Sequence, residues 1–342
     1  MSNVLDASIG IKEETTFGTA VAVDRFPEFV SETMQFKNTY AQAEGRRAGS
    51  RMRRTAGRVL EKVDAGGSIT LEAVTKGLGL WLDAALGSAS STVTADAGAY
   101  LQVHTPAATG PSKSFTIQKG LPPVGGGAVH AYTFPGSMCE QLQIDFSGPI
   151  VKIILDWISR EVVTSEAYAS PSYVVGAEPL TFVGGEIYIG ATVTKPTATT
   201  PATTAGEAVA FVKSGSVTIK NNLDGDGYNL GGAGKRTRKS ERGMADVSGS
   251  LDIELQGTTM RDALLNQTAL SLLLNFTHPS TIGTSSNPML QVYIPTIMFN
   301  DSLPQDNGGK PIVTSMNFEA LDSLVAATSP IYISYLSTDT AV

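Results

Sequence analysis

Cysteine and histidine are almost missing from this chain of 342 residues. There is one cysteine, Cys139, and there are three histidines, His104, His130 and His278. A lone cysteine cannot close an internal disulfide, and it excludes a cysteine-based zinc site. The histidines are far apart and form neither an HxxH nor an HExxH spacing, which argues against a zinc hydrolase. Charge is scarce as well. Charged residues make up 17% of the chain, too few for a disordered acidic or basic tail protein. The 25 Lys and Arg are outnumbered by 32 Asp and Glu, for a net charge of −7. A general DNA-binding surface gains its affinity by neutralising phosphates and needs the opposite balance. Long apolar runs are absent too. The most apolar stretch of the first half, Gly77 to Gly87, is about half a membrane span and contains Asp83. The N-terminus has no basic segment followed by an apolar one, so no export signal is expected. The reading is a protein made in a cytoplasm and soluble until it assembles.

Apolar residues, in contrast, are plentiful at 42%, enough to give a core to about two domains of roughly 150 residues. Most of the chain alternates, is rich in Thr, Val and Ile, and is punctuated by Gly, Pro, Asn and Asp, which predicts strands. The clearest are Gly67–Ala73, Ser114–Gln118, Glu140–Phe146, Val151–Ile158, Leu180–Ile189, Phe211–Lys220, Val247–Leu255, Leu290–Pro295, Thr314–Ala320 and Ile331–Leu336. Two segments predict short helices. Thr75–Leu86 places Leu78, Leu82 and Leu86 at i+4 spacing, and Thr259–Asn266 opens on a Thr259-x-x-Asp262 box that resembles an N-cap. The expected class is mainly β.

The strongest internal signal is a repeat. SETMQFKN at Ser31–Asn38 aligns with SGSVTIKN at Ser214–Asn221, an offset of 183. GSITLE at Gly67–Glu72 aligns with GSLDIE at Gly249–Glu254, an offset of 182. Each connecting loop is Gly-rich and basic, EGRRAGSRMRR in one and GGAGKRTRK in the other. A short helix follows each GS-strand. Then come a strand (Phe115–Gln118; Leu290–Ile294), a Gly-rich break (Gly125–Gly127; Gly308–Gly309) and two closing strands. Single matches between short β segments arise by chance; one order of elements at a nearly constant offset does not. The expected division is 1–170 and 171–342. Leu180–Ile189 is the second counterpart of the N-terminal arm, and the Thr/Pro/Ala tract at 194–208 is an exposed loop or linker.

Motifs that look chemical fall short. Asn222-x-Asp224-x-Asp226-Gly227 has the opening of a calcium loop, but its twelfth position is Ala233 and no helices flank it. Gly234-Lys235 is followed by Arg236, where a phosphate loop needs Ser or Thr. No GxSxG elbow occurs, the acids are scattered, and Cys139 reads as packed. Neither an enzyme nor a cofactor or metal site is expected.

The N-terminal phrase IGIKEETTFGTAVAVDRFPEFVSE resembles the opening of phage major tail tube proteins of long-tailed, non-contractile phages. The likeness continues through the long hairpin (Phe29–Tyr40 with Val59–Ala73), the short helix and the strands ending at Ile158, and Phe211 to Leu336 repeats the order. The resemblance implies two tandem copies of a tail-tube β-sandwich or barrel domain, each with a short flanking helix. It implies hairpins that join between subunits into a continuous β-barrel tube around a lumen. A duplicated chain would form a homotrimeric ring with pseudo-sixfold symmetry; six chains per ring is the alternative. The implied function is a structural tube subunit of the virion tail, a conduit for DNA ejection that encloses the tape-measure protein. Other implied partners are the tail terminator, baseplate or distal tail proteins, and genomic DNA in passage, with no membrane.

Two surfaces follow from that reading. Ser68, Thr70 and Glu72 form the polar side of one GS-strand, and Ser248, Ser250, Asp252 and Glu254 form that of the other. Glu72 and Glu254 occupy equivalent repeat positions. These residues are expected to line the lumen, where carboxylates repel phosphate; on pattern alone they equally suit the wet face of any antiparallel sheet. Arg46, Arg47, Arg51, Arg53 and Arg54 in one loop, and Lys235, Arg236, Arg238 and Lys239 in the other, are expected at ring-to-ring contacts. The bland alternative is solvated loop tips. The arm Ile9–Phe29 packs either across a neighbour or on its own domain. Competing functions are a head-decoration or baseplate protein and, further off, a sugar-binding β-sandwich. The last calls for clustered exposed aromatics, whereas Trp81 and Trp157 fall in patterns that read as core.

Overall fold

The structure, a computed structural model, describes residues 6–108, 112–209, 211–254, 259–300, 313–325 and 328–342. Leu255 and the Gly308–Gly309 break, both expected above, lie outside the described residues. The first half contains β1 (Ser8–Glu13), β2 (Phe29–Glu32), β3 (Gln35–Phe36), β4 (Thr39–Gln42), β5 (Arg58–Lys62), β6 (Ala65–Glu72), α1 (Gly79–Leu86), β7 (Gly87–Val93), β8 (Tyr100–Pro106), β9 (Phe115–Leu121), β10 (His130–Asp145) and β11 (Lys152–Ser159). The second half contains β12 (Gly185–Ile189), β13 (Val193–Thr194), β14 (Thr203–Thr204), β15 (Val212–Lys220), β16 (Asp246–Glu254), α2 (Thr259–Asn266), β17 (Leu270–Thr277), β18 (Met289–Phe299), β19 (Val313–Ala320) and β20 (Tyr332–Ser337). The chain is mainly β, with two α-helices among the described residues.

Two sets of strands pair in the same order, all antiparallel. The first runs β1–β9–β10–β11–β6–β2. The second runs β12–β17–β18–β19–β16–β15. Gln141–Asp145 of β10 then pair with Ser216–Lys220 of β15, so both sets belong to one sheet. The β7–β8 hairpin leaves the first set, and β8 pairs with the last strand, β20. In this pairing order β9 stands where β17 does and β11 where β19 does, whereas the sequence expectation set Phe115–Gln118 against Leu290–Ile294; β20 lies outside both sets. Within the two sets, the strand that escaped notice is β17, LSLLLNFT, an apolar run without alternation. The N-terminal arm lies on its own chain: Ile9 and Ile11 are buried, and Ile11 faces Ile117 of β9.

Alternation explains the core. The inward residues Ile69 and Leu71 of β6, Leu142 and Ile144 of β10, Ile153, Leu155 and Trp157 of β11, Val217 and Ile219 of β15, and Leu251 and Ile253 of β16 are all buried in one cluster. Helix α1 adds Trp81, Leu82 and Leu86. It is shorter than the pattern Thr75–Leu86 predicts. Gly77 turns the chain at φ +85°, and Thr75 N–H bonds to Glu178 O at 2.9 Å instead of entering a helix. At the other end Gly87, at φ +80°, returns its N–H to Asp83 O, a left-handed cap that favours glycine. The Thr/Pro/Ala tract is more ordered than its composition predicts. β13 and β14 pair, and the backbone of buried Ala202 donates to Gln291 Oε1 at 2.8 Å and accepts from Gln291 Nε2 at 3.0 Å.

Asp96 ties the β7–β8 turn to the second half. Its carboxylate accepts the backbone N–H groups of Thr284, Ser285 and Ser286 and the Thr284 hydroxyl, at 2.7–2.8 Å. These donors hold its carboxyl well below the ordinary carboxylate range. The sign is that of a lowered acid: the clamp is fully present above the unfolded carboxylate pKa and is lost only as pH falls through the depressed value. Asp96→Ala is expected to remove the hydrogen-exchange protection of the Ser285 and Ser286 amides while leaving that of β11 intact. Unchanged protection at those amides would contradict the clamp.

Candidate assembly surface

Whether the two polar strand sides face the same way depends on parity through the intervening strands. Directly opposed residues of an antiparallel pair project to one face. Thr70 opposes Ile154, Ile154 opposes Gln143, Gln143 opposes Thr218, and Thr218 opposes Ser248. A parallel row runs Glu72, Lys152, Asp145, Ser216, Ser250, and another runs Ser68, Asp156, Gln141, Lys220, Asp246. β19 extends the face, with Glu319, Asn317 and Ser315 opposite Ser248, Ser250 and Asp252. Ser68, Thr70, Glu72, Ser248, Ser250, Asp252 and Glu254 therefore lie on one face of one sheet. The partly exposed residues sit here and the buried ones behind them.

The face is acidic on balance. Its acids are Glu72, Asp145, Asp156, Asp246, Asp252, Glu254 and Glu319. Its bases are Lys152, Lys220 and Lys213, whose Nζ lies 2.6 Å from Glu254 Oε1. Seven acids less three lysines leaves an excess of four. Asp252 is held by hydroxyls from both neighbouring strands, Ser315 Oγ donating at 2.7 Å and Ser214 Oγ at 2.5 Å. Sequence reasoning found β6 and β16 but missed the strands between them. Lys152 and Lys220 join the face only through register.

The two basic hairpins are placed differently. β4 and β5 form a ribbon whose tip carries Arg46, Arg47, Arg51, Arg53 and Arg54, all exposed and in no salt bridge among the described residues. The same arm exposes Val30, Phe36, Tyr40, Met52, Val59 and Leu60, Phe36 to 64% and Met52 to 84%. Such a run of large apolar side chains in water marks a surface that something covers.

The hairpin between β15 and β16 instead folds back on its own chain. Arg236 is 4% exposed. Its Nη2 lies 3.1 Å from Asp64 Oδ1, Nη1 donates to Ser159 O at 3.1 Å, and Nε donates to Gly225 O at 3.2 Å. The Tyr228 ring lies 5.4 Å from its guanidinium carbon. Lys235 Nζ pairs with Glu161 Oε2 at 2.5 Å. Arg238 pairs with Asp224, and that hydrogen bond lowers the Asp224 carboxyl and raises Arg238. Lys239 is half-buried. Composition placed all four at a loop tip. In the structure Arg236 lies inside the chain with its donors committed to it, because Asp64, Ser159 and Glu161 come from distant sequence.

None of the curated proteins matches the chain. The family model described as phage tail tube protein matches residues 5–320, spanning both strand sets and the joint between them. With its mainly β architecture and a match over almost its whole length, the chain belongs to the phage tail tube protein family and is a structural subunit of a phage tail tube.

Proposed function

We propose that three copies of this chain close into a ring with pseudo-sixfold symmetry, and that stacked rings form the tail tube of a long-tailed, non-contractile phage. In this reading residues 1–170 and 171–342 are two copies of one tube domain. The observation that carries it is the β10–β15 joint. β2 holds in the first strand set the place that β15 holds in the second, yet among the described residues it pairs only with β6. β18 likewise corresponds to β10. β2 of one chain would therefore join β18 of the next as β15 joins β10 within a chain. Three such joints cover the free edge of β2 in every chain, which is how a closed barrel removes the hazard of open strands.

The acidic sheet face then lines the bore. Carboxylates fixed there repel phosphate, so DNA passes during ejection without adhering. Before ejection the same bore encloses the tape-measure protein, and the tube ends meet the terminator and the baseplate or distal tail proteins. Arg46, Arg47, Arg53 and Arg54, exposed at the arm tip, are suited to acidic residues of the next ring. Virion assembly follows synthesis in the host cytoplasm.

Electron microscopy and mass measurement of the purified chain test this. Three chains of 35.8 kDa give a ring of about 107 kDa. Hollow tubes built from such rings are expected. A six-chain ring, or a protein that coats a surface without end-to-end growth, would exclude the proposal. Replacing Arg53 and Arg54 together with glutamate is expected to leave rings intact but prevent long tubes. Tubes of normal length from that variant would remove the stacking role.

A further inference from the structure

The exposed and the buried basic hairpins are counterparts. AGSRMRR at 48–54 and AGKRTRK at 233–239 share Ala, Gly and two arginines in register. Gly49 and Gly234 adopt the same left-handed turn, at φ +80° and +75°. Arg51 thus stands where Arg236 stands, and Ser50 where Lys235 stands. The acids that receive the second hairpin have counterparts too. Asp64 lies just before β6 and Asp246 opens β16, at the same offset of 182 that relates Gly67–Glu72 to Gly249–Glu254. Ser68 opposes Asp156 as Ser250 opposes Asn317, so β19 follows β11 at an offset of 161 and Asp322 takes the place of Glu161.

Within the chain, one complete contact is made. Arg236 binds Asp64, Lys235 binds Glu161, and Val63 N–H donates to Gly234 O at 2.7 Å. The other set of groups is left over. Arg51 is exposed without an acidic partner among the described residues. Both acids are exposed; among the described residues Asp246 holds only Asn222 Nδ2 at 2.6 Å, and Asp322 holds only the Leu324 N–H of its own turn at 2.8 Å.

We propose that Arg51 of one chain seats on Asp246 of a second copy of this chain, with Ser50 beside Asp322, repeating between chains the contact that Arg236 and Lys235 make within one. Gly49 O would then accept Ala245 N–H of the second copy, as Gly234 O accepts that of Val63. The exposed apolar side chains of the arm, Phe36, Tyr40, Val59 and Leu60 among them, are covered at the same seam. Arg51 thereby belongs to the seam within a ring and not to the contact between rings. The inference rests on the ring proposed above and names the ionic contact that closes it. The intrachain counterpart of this contact is buried, with Arg236 4% exposed against Asp64, and a buried pair of this kind is costly to break from one side only.

Charge reversal and its rescue test it in the full-length chain. Arg51→Glu and Asp246→Arg are each expected to leave the unassembled chain folded by circular dichroism and to lower ring yield roughly tenfold or more. Combining them is expected to restore most of the yield, while Arg46→Glu leaves ring yield unchanged. If Arg51→Glu assembles as the unaltered chain does, or if the combined variant recovers nothing, the seat is wrong although the unaltered chain still makes rings. If the unaltered chain makes no three-chain ring, the ring itself is wrong and the seat falls with it.

Discussion

Trp157→Ala is expected to cost the folded chain about 3–5 kcal/mol, a large fraction of the stability of an ordinary domain. Trp157 is 2% exposed in the middle of β11. It meets Trp81 of α1 edge-on, with centroids 6.1 Å apart and planes at 80°, and Phe115 of β9 at 6.1 Å and 76°. Three elements therefore lose their common contact when the indole goes. Each aromatic pair contributes about 0.5–1.5 kcal/mol beyond burial, and the cavity left in a close-packed interior adds the remainder. Its Nε1 has no acceptor among the described residues. Trp157→Phe removes that unpaired donor along with some volume, so its cost is expected to be smaller, about 1–2 kcal/mol. Denaturant unfolding of the unassembled chain measures both. An alanine variant within 1 kcal/mol of the unaltered chain would contradict this packing.

The second large effect is a loss of stability on acidification that originates at His104. Its ring is fully buried on β8, opposite Ile333 of β20 and Ala89 of β7, and neither ring nitrogen has a protein partner among the described residues. Burial first, and the nearby Lys113 charge second, push its pKa down to about 3. Lys113 itself is anchored to Asp83 at 2.6 Å, which keeps its charge close. The unfolded chain binds the His104 proton near pH 6.5, and the folded chain only near 3. Between those values the unfolded state carries the extra proton, so stability is intact above pH 6.5 and falls as pH drops toward 3. The full window corresponds to a loss on the order of 5 kcal/mol. His104→Leu is expected to flatten that part of the stability–pH curve. Parallel curves for the two chains would rule His104 out as the source. Because β8 is the strand that joins the first half to β20, the β7–β8 hairpin is where acid should first loosen the fold.

Much of the secondary structure was legible because burial writes itself into short periods. β6 and β16 alternate cleanly, and Thr259–Asn266 is helical over the range that its pattern predicts. Other elements were hidden for identifiable reasons. β7, GSASSTV, is built of small and hydroxyl residues with little apolar contrast, and its partner β8 buries polar Gln102 and His104. β17 is covered on both faces, so it shows no alternation. α1 loses its first turn to a glycine whose positive φ no periodicity reveals.

The candidate surfaces divide along the same line. The alternation of polar and apolar residues belongs to the amino-acid order, since side chains two apart share a face whatever the strand pairs with. So does the basic character of the two hairpins. Tertiary structure alone decided that the polar sides of β6 and β16 look the same way, because parity must be carried across β11, β10 and β15. It also decided that Arg236 is locked inside the chain while Arg51 is held out in solvent. The two arginines sit in similar local sequence, each two residues after a left-handed glycine. What separates them is whether a matching carboxylate, Asp64 for Arg236, is brought within reach by the rest of the same chain.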